Sequence, residues 1–206
     1  LPPPGQELDE KSTGGRADAI IDEVVRSIRN RFPRRTEAGH PSLMASLAAD
    51  IVCDALGLDG PAMAVDSACS SSLQALAIAA RALWLGQIDM AIVGGASYLG
   101  CDALVLFSNA QSVTNGLSCP FDAQADGFVA AEGQVAILVK TLARALADGD
   151  PVQAVIRGIG VSSDGRGKSL WAPLESGQKV AIQRAYSAGL DMSRLQYVEA
   201  HATSTQ

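Results

Sequence analysis

Metal-binding groups, paired cysteines, charge and aromatic rings are all scarce in this sequence. Only two histidines, His40 and His201, occur in 206 residues, and the four cysteines, Cys53, Cys69, Cys101 and Cys119, form no C-x-x-C pair. That spacing excludes the usual structural zinc site, so no metal and no directly bound cofactor is expected. An even cysteine count would suit a small secreted disulfide scaffold. A chain of this length with 48% apolar residues has core enough without cross-links, and a reduced, cytoplasmic setting is expected. Charged residues make up only 18%, with a net charge of −6, whereas a nucleic-acid binder would carry a basic face. The longest apolar run, Leu73–Leu85, is broken by Gln74 and Arg81 and is too short to cross a bilayer. Residues 1–15, LPPPGQELDEKSTGG, are polar and rich in Pro and Gly, without the apolar centre of a secretory signal.

What is present is an apolar chain with alternating periodicities. Residues 16–31 predict an amphipathic helix with Ile20, Ile21, Val24, Val25 and Ile28 on one side, broken by the proline of FPRR. Residues 43–56 predict a second, built on Leu43, Leu47, Ile51 and Leu56 and stopped by Gly57. From Gly60 strands and helices alternate. Short strands are expected at Ala62–Val65 and at Asp89–Val93, the latter closed by Gly94–Gly95. Ser70–Leu85 reads as a helix apolar nearly all round, hence buried, with Gly86 as its stop. Gln134–Lys140 reads as a strand, Thr141–Ala147 as a short helix ended by Gly149, and Val152–Ser162 as a long strand. Gly177–Ala188 is expected to be helical, ending at Gly189, and Gln196–Ala200 a final strand that delivers His201. Alternation of this kind argues for an α/β architecture, with more layers than a simple doubly wound sheet because one helix is apolar all round.

The stretch VDSACSSSLQAL, Val65–Leu76, holds the first chemical candidate. Cys69 stands between a strand and the N-terminus of the expected buried helix, where unpaired N–H groups and the helix dipole favour an anion, here a thiolate. The same amides could hold an oxyanion when a carbonyl is attacked, with Ser70–Ser72 as polar caps and small packing residues. By position alone a small buried core cysteine fits as well. His201 is the second candidate: a strand-end imidazole in the small-residue loop Ala202-Thr203-Ser204-Thr205 can act as donor or base, or can be a satisfied structural histidine. His40, between Gly39 and Pro41, is expected in an exposed loop. SSDGRGKS, residues 162–169, contains Gly167-Lys168-Ser169, but Ser162 stands where a P-loop needs glycine. CPFDAQADGFVAAEG, residues 119–133, lacks the acidic spacing of an EF-hand and reads as a structured turn.

Taken together, VDSACSSSL, IDMAIVGGAS (88–97), CPFDAQADGFVAAEG (119–133), VIRGIGVSSDG (155–165) and VEAHATST (198–205) resemble the β-ketoacyl synthase, or ketosynthase, family in order and spacing, from about residue 60 to the end. DSACSSSL and CPFDA are similar to the ketosynthases of polyketide synthases more than to stand-alone fatty-acid enzymes. The resemblance implies a thiolase-like fold, layered α-β-α-β-α, after a polar lead-in over residues 1–15 and with residues 16–206 as a partial ketosynthase domain. It implies a homodimer that works with an acyl carrier protein and other polyketide synthase domains, its substrates carried on phosphopantetheine. It implies an acyltransferase in which Cys69 is the acyl-accepting nucleophile and His201 the donor for decarboxylation and the oxyanion, with Thr203 and Thr205 toward the substrate.

Two departures accompany the likeness. The family's H-G-T-G-T is here His201-Ala202-Thr203-Ser204-Thr205, with small residues replacing two glycines and expected to narrow or stiffen the loop. The family's second catalytic histidine, its lysine and its late Gly-rich loop are expected beyond Gln206, and its N-terminal strand region has no recognisable counterpart. With no initiator Met and an uncapped HATSTQ at the end, the sequence is expected to be a piece of a longer enzyme. Other readings are a non-condensing scaffold that binds the carrier, against which Cys69 stands, and a cysteine thioester hydrolase, for which no orienting Asn or Asp is identifiable.

Overall fold

Gly57 ends a helix in the way its sequence position requires. In this computed structural model, which describes residues 45–167, 172–187 and 189–205 together with Ala19, Asp22, Glu23 and Arg26, α1 spans Ser46–Leu56. Gly57 adopts φ +64°, its N–H meets the Asp54 carbonyl, and the Leu58 N–H reaches Cys53, so the last carbonyls of the helix are satisfied. Ala19, Asp22, Glu23 and Arg26 are helical and exposed. The apolar face expected of that earlier helix, and His40, lie outside the described residues. The chain divides into two units, Leu1–Ala62 and Met63–Gln206, and every candidate residue named above belongs to the second.

In that second unit α2 (Ser71–Trp84), β1 (Met90–Ser97), α3 (Cys101–Asn109), β2 (Gly133–Lys140), α4 (Leu142–Asp148) and α5 (Glu175–Tyr186) follow in order, and a single 3-10 turn covers Met192–Arg194. β1 and β2 pair antiparallel from Met90 opposite Lys140 to Ser97 opposite Gly133. The strand expected to close at Gly94–Gly95 therefore runs through both glycines. The reason lies in the packing of α2 on β1. A Cβ built on Gly95 would stand 3.0 Å from the Ser72 Cβ, so the first turn of α2 lies this close to the sheet over a bare backbone and would have to give by a few tenths of an ångström for any side chain there.

β2 turns directly into α4. The Thr141 side chain accepts from the Arg144 N–H as an N-cap, and Gly149 closes the helix at φ +73°. Lys140 at the end of β2 donates to Asp148 at 2.7 Å and to Asp150 at 2.5 Å, and Arg144 shares Asp148, which pins the helix to the strand. Among the described residues the buried apolar ones are Ala80 and Leu83 of α2, Val93 of β1 and Ala145 of α4. Around α5, Ser162 Oγ donates to the Gly177 carbonyl at 2.6 Å and Arg184 Nη1 to the Val161 carbonyl at 2.5 Å.

Three expected strands, Ala62–Val65, Val152–Ser162 and Gln196–Ala200, carry no ladder among the described residues. Apolar alternation records which side chains seek cover, but a strand also needs a neighbour to take its N–H and C=O groups, and none of these segments has one here. The expected burial of α2 is corrected too: Ala80 and Leu83 are buried, whereas Leu73 remains 68% exposed and Trp84 61%. β2 is apolar and exposed on both faces, with Val135 and Ile137 on one side and Leu138 on the other. The helix expected over Gly177–Ala188 begins two residues earlier, at Glu175. Among the described residues no helix is long and apolar enough to cross a membrane.

Candidate functional site

Cys69 stands at the end of a tight elbow made almost wholly by its neighbours. Asp66 Oδ1 accepts the Ala68 N–H at 3.0 Å, closing a turn around Ser67. Ala68 is thereby held at φ +52°, a left-handed conformation that an L-residue with a Cβ adopts at about 1 kcal/mol or more. The three serines brace this turn. Ser71 Oγ accepts from the Ser67 N–H at 2.9 Å and donates to the Ala68 carbonyl at 2.6 Å. Ser70 Oγ donates to the Ser67 carbonyl at 2.9 Å and lies 2.9 Å from Ser67 Oγ. The reading of these serines as helix caps is corrected: the N-cap Ser70 makes no side-chain bond to the first turn of α2, because its hydroxyl points back into the elbow. Ser72 keeps the role of a small packing residue, against Gly95.

The result is an exposed Cys69 at the start of α2, not a core cysteine, and all four cysteines are free thiols. The amides of Ser70 and Ser71 are occupied by the carbonyls of Ser67 and Ala68. Of the amides expected to receive an oxyanion, those two are therefore already engaged within the elbow.

His201 is exposed and is followed at once by a second strained residue, Ala202 at φ +43°, with Ser204 at φ +62° two positions later. These are the two positions where the glycines of H-G-T-G-T are replaced. The backbone keeps the glycine-type conformation although neither residue is glycine, again at about 1 kcal/mol each relative to glycine. Thr203 and Thr205 turn their hydroxyls to one another at 3.0 Å. Neither the Cys69 thiol nor the His201 ring makes a hydrogen bond among the described residues.

The His201 loop rests on the segment from Cys119 to Phe128. Ser204, only 5% exposed, accepts the Cys119 N–H on its Oγ at 2.9 Å, and its carbonyl accepts the Gly127 N–H at 2.8 Å. The Cys119–Phe128 segment is itself ordered. Asp122 and Ala125 amides close turns on Cys119 and Asp122, Phe128 exchanges backbone bonds with Ser112 and Thr114, and its ring meets Phe107 edge-on at 5.1 Å. CPFDAQADGFVAAEG is thus the structured turn expected of it. Glu132 Oε1 accepts the Leu99 N–H at 2.8 Å, tying the end of β1 to the start of β2. Sequence reasoning passed over Asp66 and Ser204. Asp66 carried a readable signal, an Asx turn two residues ahead of a bend, whereas the partner of Ser204 lies too far along the chain to be read.

A cavity of about 260 Å³ lined by Ser162, Asp164, Leu174, Gly177, Val180 and Arg184 holds neither Cys69 nor His201. Asp164 Oδ2 accepts the Leu174 N–H at its edge, so the DG of SSDGRGKS serves a turn before α5; Lys168 and Ser169 lie outside the described residues.

Residues 13–145 match the family described as "Beta-ketoacyl synthase, N-terminal domain", and residues 153–206 match "Beta-ketoacyl synthase, C-terminal domain". The chain is 43% identical over 152 residues to a partially reducing polyketide synthase of Talaromyces stipitatus, covering 72% of this chain and 6% of that protein. It is 34% identical over 204 residues to a lovastatin diketide synthase of Aspergillus terreus, covering 96% of this chain and 8% of the relative. The ketosynthase from module 6 of the bacillaene synthase of Bacillus subtilis superposes with a TM-score of 0.75 at 37% identity, over 78% of this chain and 30% of its own. A β-ketoacyl synthase from Burkholderia phymatum gives a TM-score of 0.73 at 31% identity, over 78% and 41%. The fold class is therefore that of ketosynthases, the thiolase-like layered α-β-α-β-α arrangement, of which this chain spans about a third.

Proposed function

Since the chain belongs to the β-ketoacyl synthase family, we propose that it contributes the nucleophile and one histidine to a ketosynthase that condenses acyl groups in polyketide biosynthesis. The observation that carries this reading is the elbow. A strained Ala68, fixed by Asp66 and the serines, turns the Cys69 thiol outward at the start of α2, where it can be reached by a carrier-bound thioester. Strain of this kind is held where a side chain must be presented at a fixed angle.

In the first step the Cys69 thiolate attacks the acyl thioester carbonyl and the phosphopantetheine thiolate leaves, so the acyl group passes from one sulfur to the other. In the second, a malonyl-type thioester on the carrier loses CO2, and the electron pair of the broken C–C bond becomes an enolate. His201 donates a hydrogen bond to the enolate oxygen. The enolate carbon attacks the Cys69 thioester carbonyl and expels the Cys69 thiolate, leaving a β-ketoacyl thioester on the carrier and the enzyme restored. The Cys69 amide supports the oxyanion of both tetrahedral intermediates, and Thr203 and Thr205 face the extender. The partners of this reaction are an acyl carrier protein, the neighbouring polyketide synthase domains and, in a homodimer, a second copy, in the cytoplasm.

Intact-mass measurement of the full-length protein with an acyl-pantetheine thioester tests the reading. An acyl adduct is expected in the wild type and none in Cys69→Ala; an adduct that persists in the variant, or no adduct in either, overturns it.

A further inference from the structure

Ser204 is a buried polar residue within the loop that bears His201, and its side chain is bound across the fold to Cys119. We propose that Ser204 is a positioning residue for His201, an inference that rests on the ketosynthase reading above. Its Oγ takes the Cys119 N–H at 2.9 Å and its carbonyl the Gly127 N–H at 2.8 Å, so one residue grips the Cys119–Phe128 segment at two points. It does so at φ +62°, where glycine would sit without strain. A glycine there could keep the carbonyl bond but not the hydroxyl bond. The chain therefore holds a strained backbone together with a contact that only a side chain supplies.

The consequence concerns the orientation of His201 three residues away. The loop 201–205 has its left-handed residues at Ala202 and Ser204, and the Thr203–Thr205 hydroxyl pair closes it on itself across Ser204. With Ser204 fixed to Cys119 and Gly127, the loop has one end anchored, and the imidazole is carried on a short, bent segment with little freedom. Decarboxylation needs that ring placed to within a fraction of an ångström, whereas acyl transfer to Cys69 depends on a separate elbow.

The test uses the full-length protein with Ser204→Ala and Ser204→Gly. Ser204→Ala removes the hydroxyl bond and keeps the strained backbone; Ser204→Gly removes both. Two readouts are taken: acyl loading of Cys69 from an acyl-pantetheine thioester, and CO2 release from a malonyl-pantetheine thioester. Hydrogen exchange of the Cys119 amide and the melting temperature are measured alongside. Both variants are expected to load within about twofold of wild type and to release CO2 about tenfold more slowly. The Cys119 amide is expected to exchange about fivefold faster or more in both. Ser204→Gly is expected to melt at or above the temperature of Ser204→Ala, so a slower rate without lower stability separates positioning from scaffolding. CO2 release unchanged in both variants, or loss of loading and CO2 release in proportion, overturns the inference. A wild type that never loads Cys69 removes the ketosynthase reading and the catalytic half of this one, while the Cys119 exchange still decides whether the clamp exists.

Discussion

Around Cys69 the hydrogen bonds that shape the turn join residues two to four positions apart, from Asp66 with Ala68 to Ser67 with Ser71. Around His201 the bonds that tie the loop reach back to Gly127 and, across 85 positions, to Cys119. Both regions hold a non-glycine residue at positive φ beside the reactive side chain, Ala68 before the thiol and Ala202 after the imidazole. The same local strain is thus sustained by two different means. The elbow carries its own restraints and needs the fold only to place it, whereas the histidine loop takes its shape from a distant segment. Disturbing the fold should therefore harm the histidine's half of the chemistry first.

The largest break in this comparison is His201→Ala. Acyl loading of Cys69 is expected to survive, because the hydrogen bonds that shape the elbow all lie within residues 66–71, while CO2 release from the malonyl thioester falls about a hundredfold or more, the usual consequence of deleting a charge-stabilising donor. Parallel measurement of the two half-reactions checks it, and equal losses in both would erase the distinction. Gly95→Leu tests a tertiary requirement of the elbow. A side chain at Gly95 meets Ser72 at once, so the start of α2 must lift from β1. Destabilisation of about 1–3 kcal/mol is expected in denaturant melts, with loading slowed more than in any other variant that leaves Cys69 intact. A variant of normal stability that loads at the normal rate would show the close approach to be dispensable.

The smallest effect is expected from acid, at a third place that belongs to neither region. The hydrogen bond from Lys140, with that from Arg144, holds Asp148 below the usual carboxylate range. A depressed carboxylate stabilises the fold fully above its unfolded value of about 3.9 and ceases to do so as pH falls through the lower folded value. Lys140, raised by its bonds to Asp148 and Asp150, behaves in the opposite sense, its contribution lasting until pH rises through the folded value above about 10.4. Lys140 is half-buried, but Arg144 and Asp148 remain open to solvent, so the effect is small. Asp148→Asn should flatten the loss of stability as pH falls below about 3.9 without changing hydrogen exchange of the Cys119 amide or of the elbow. A change at either would show the β2–α4 junction to be coupled to the site.

The elements that were legible beforehand share a local cause. Gly57 and Gly149 stop helices by backbone conformation, Thr141 caps α4 through its own side chain, and α2 announces itself by period. VDSACSSSL could be read as an elbow for the same reason, since all its bonds lie within a few residues, although the serines proved to brace the bend and not to cap the helix. The expected strands failed where pairing was needed. Val152–Ser162 and Gln196–Ala200 have strand-like patterns, but a pattern names no partner. The span of β1 through Gly94–Gly95 was misjudged because the glycines answer to Ser72 across a helix–sheet contact that no window of sequence contains.

By itself the sequence determined the chemistry on offer: a thiol behind a serine-rich turn, an imidazole among small residues, and the motif order that marks the family. Only the tertiary structure decided that the thiol is exposed, that Ala202 and Ser204 adopt glycine's backbone without being glycine, and that Ser204 spends its hydroxyl on Cys119. The physical reason is range. Capping, turn and periodicity terms act over a few residues and are written in order along the chain, whereas burial, strain and cross-loop hydrogen bonds depend on which distant backbone comes to lie alongside.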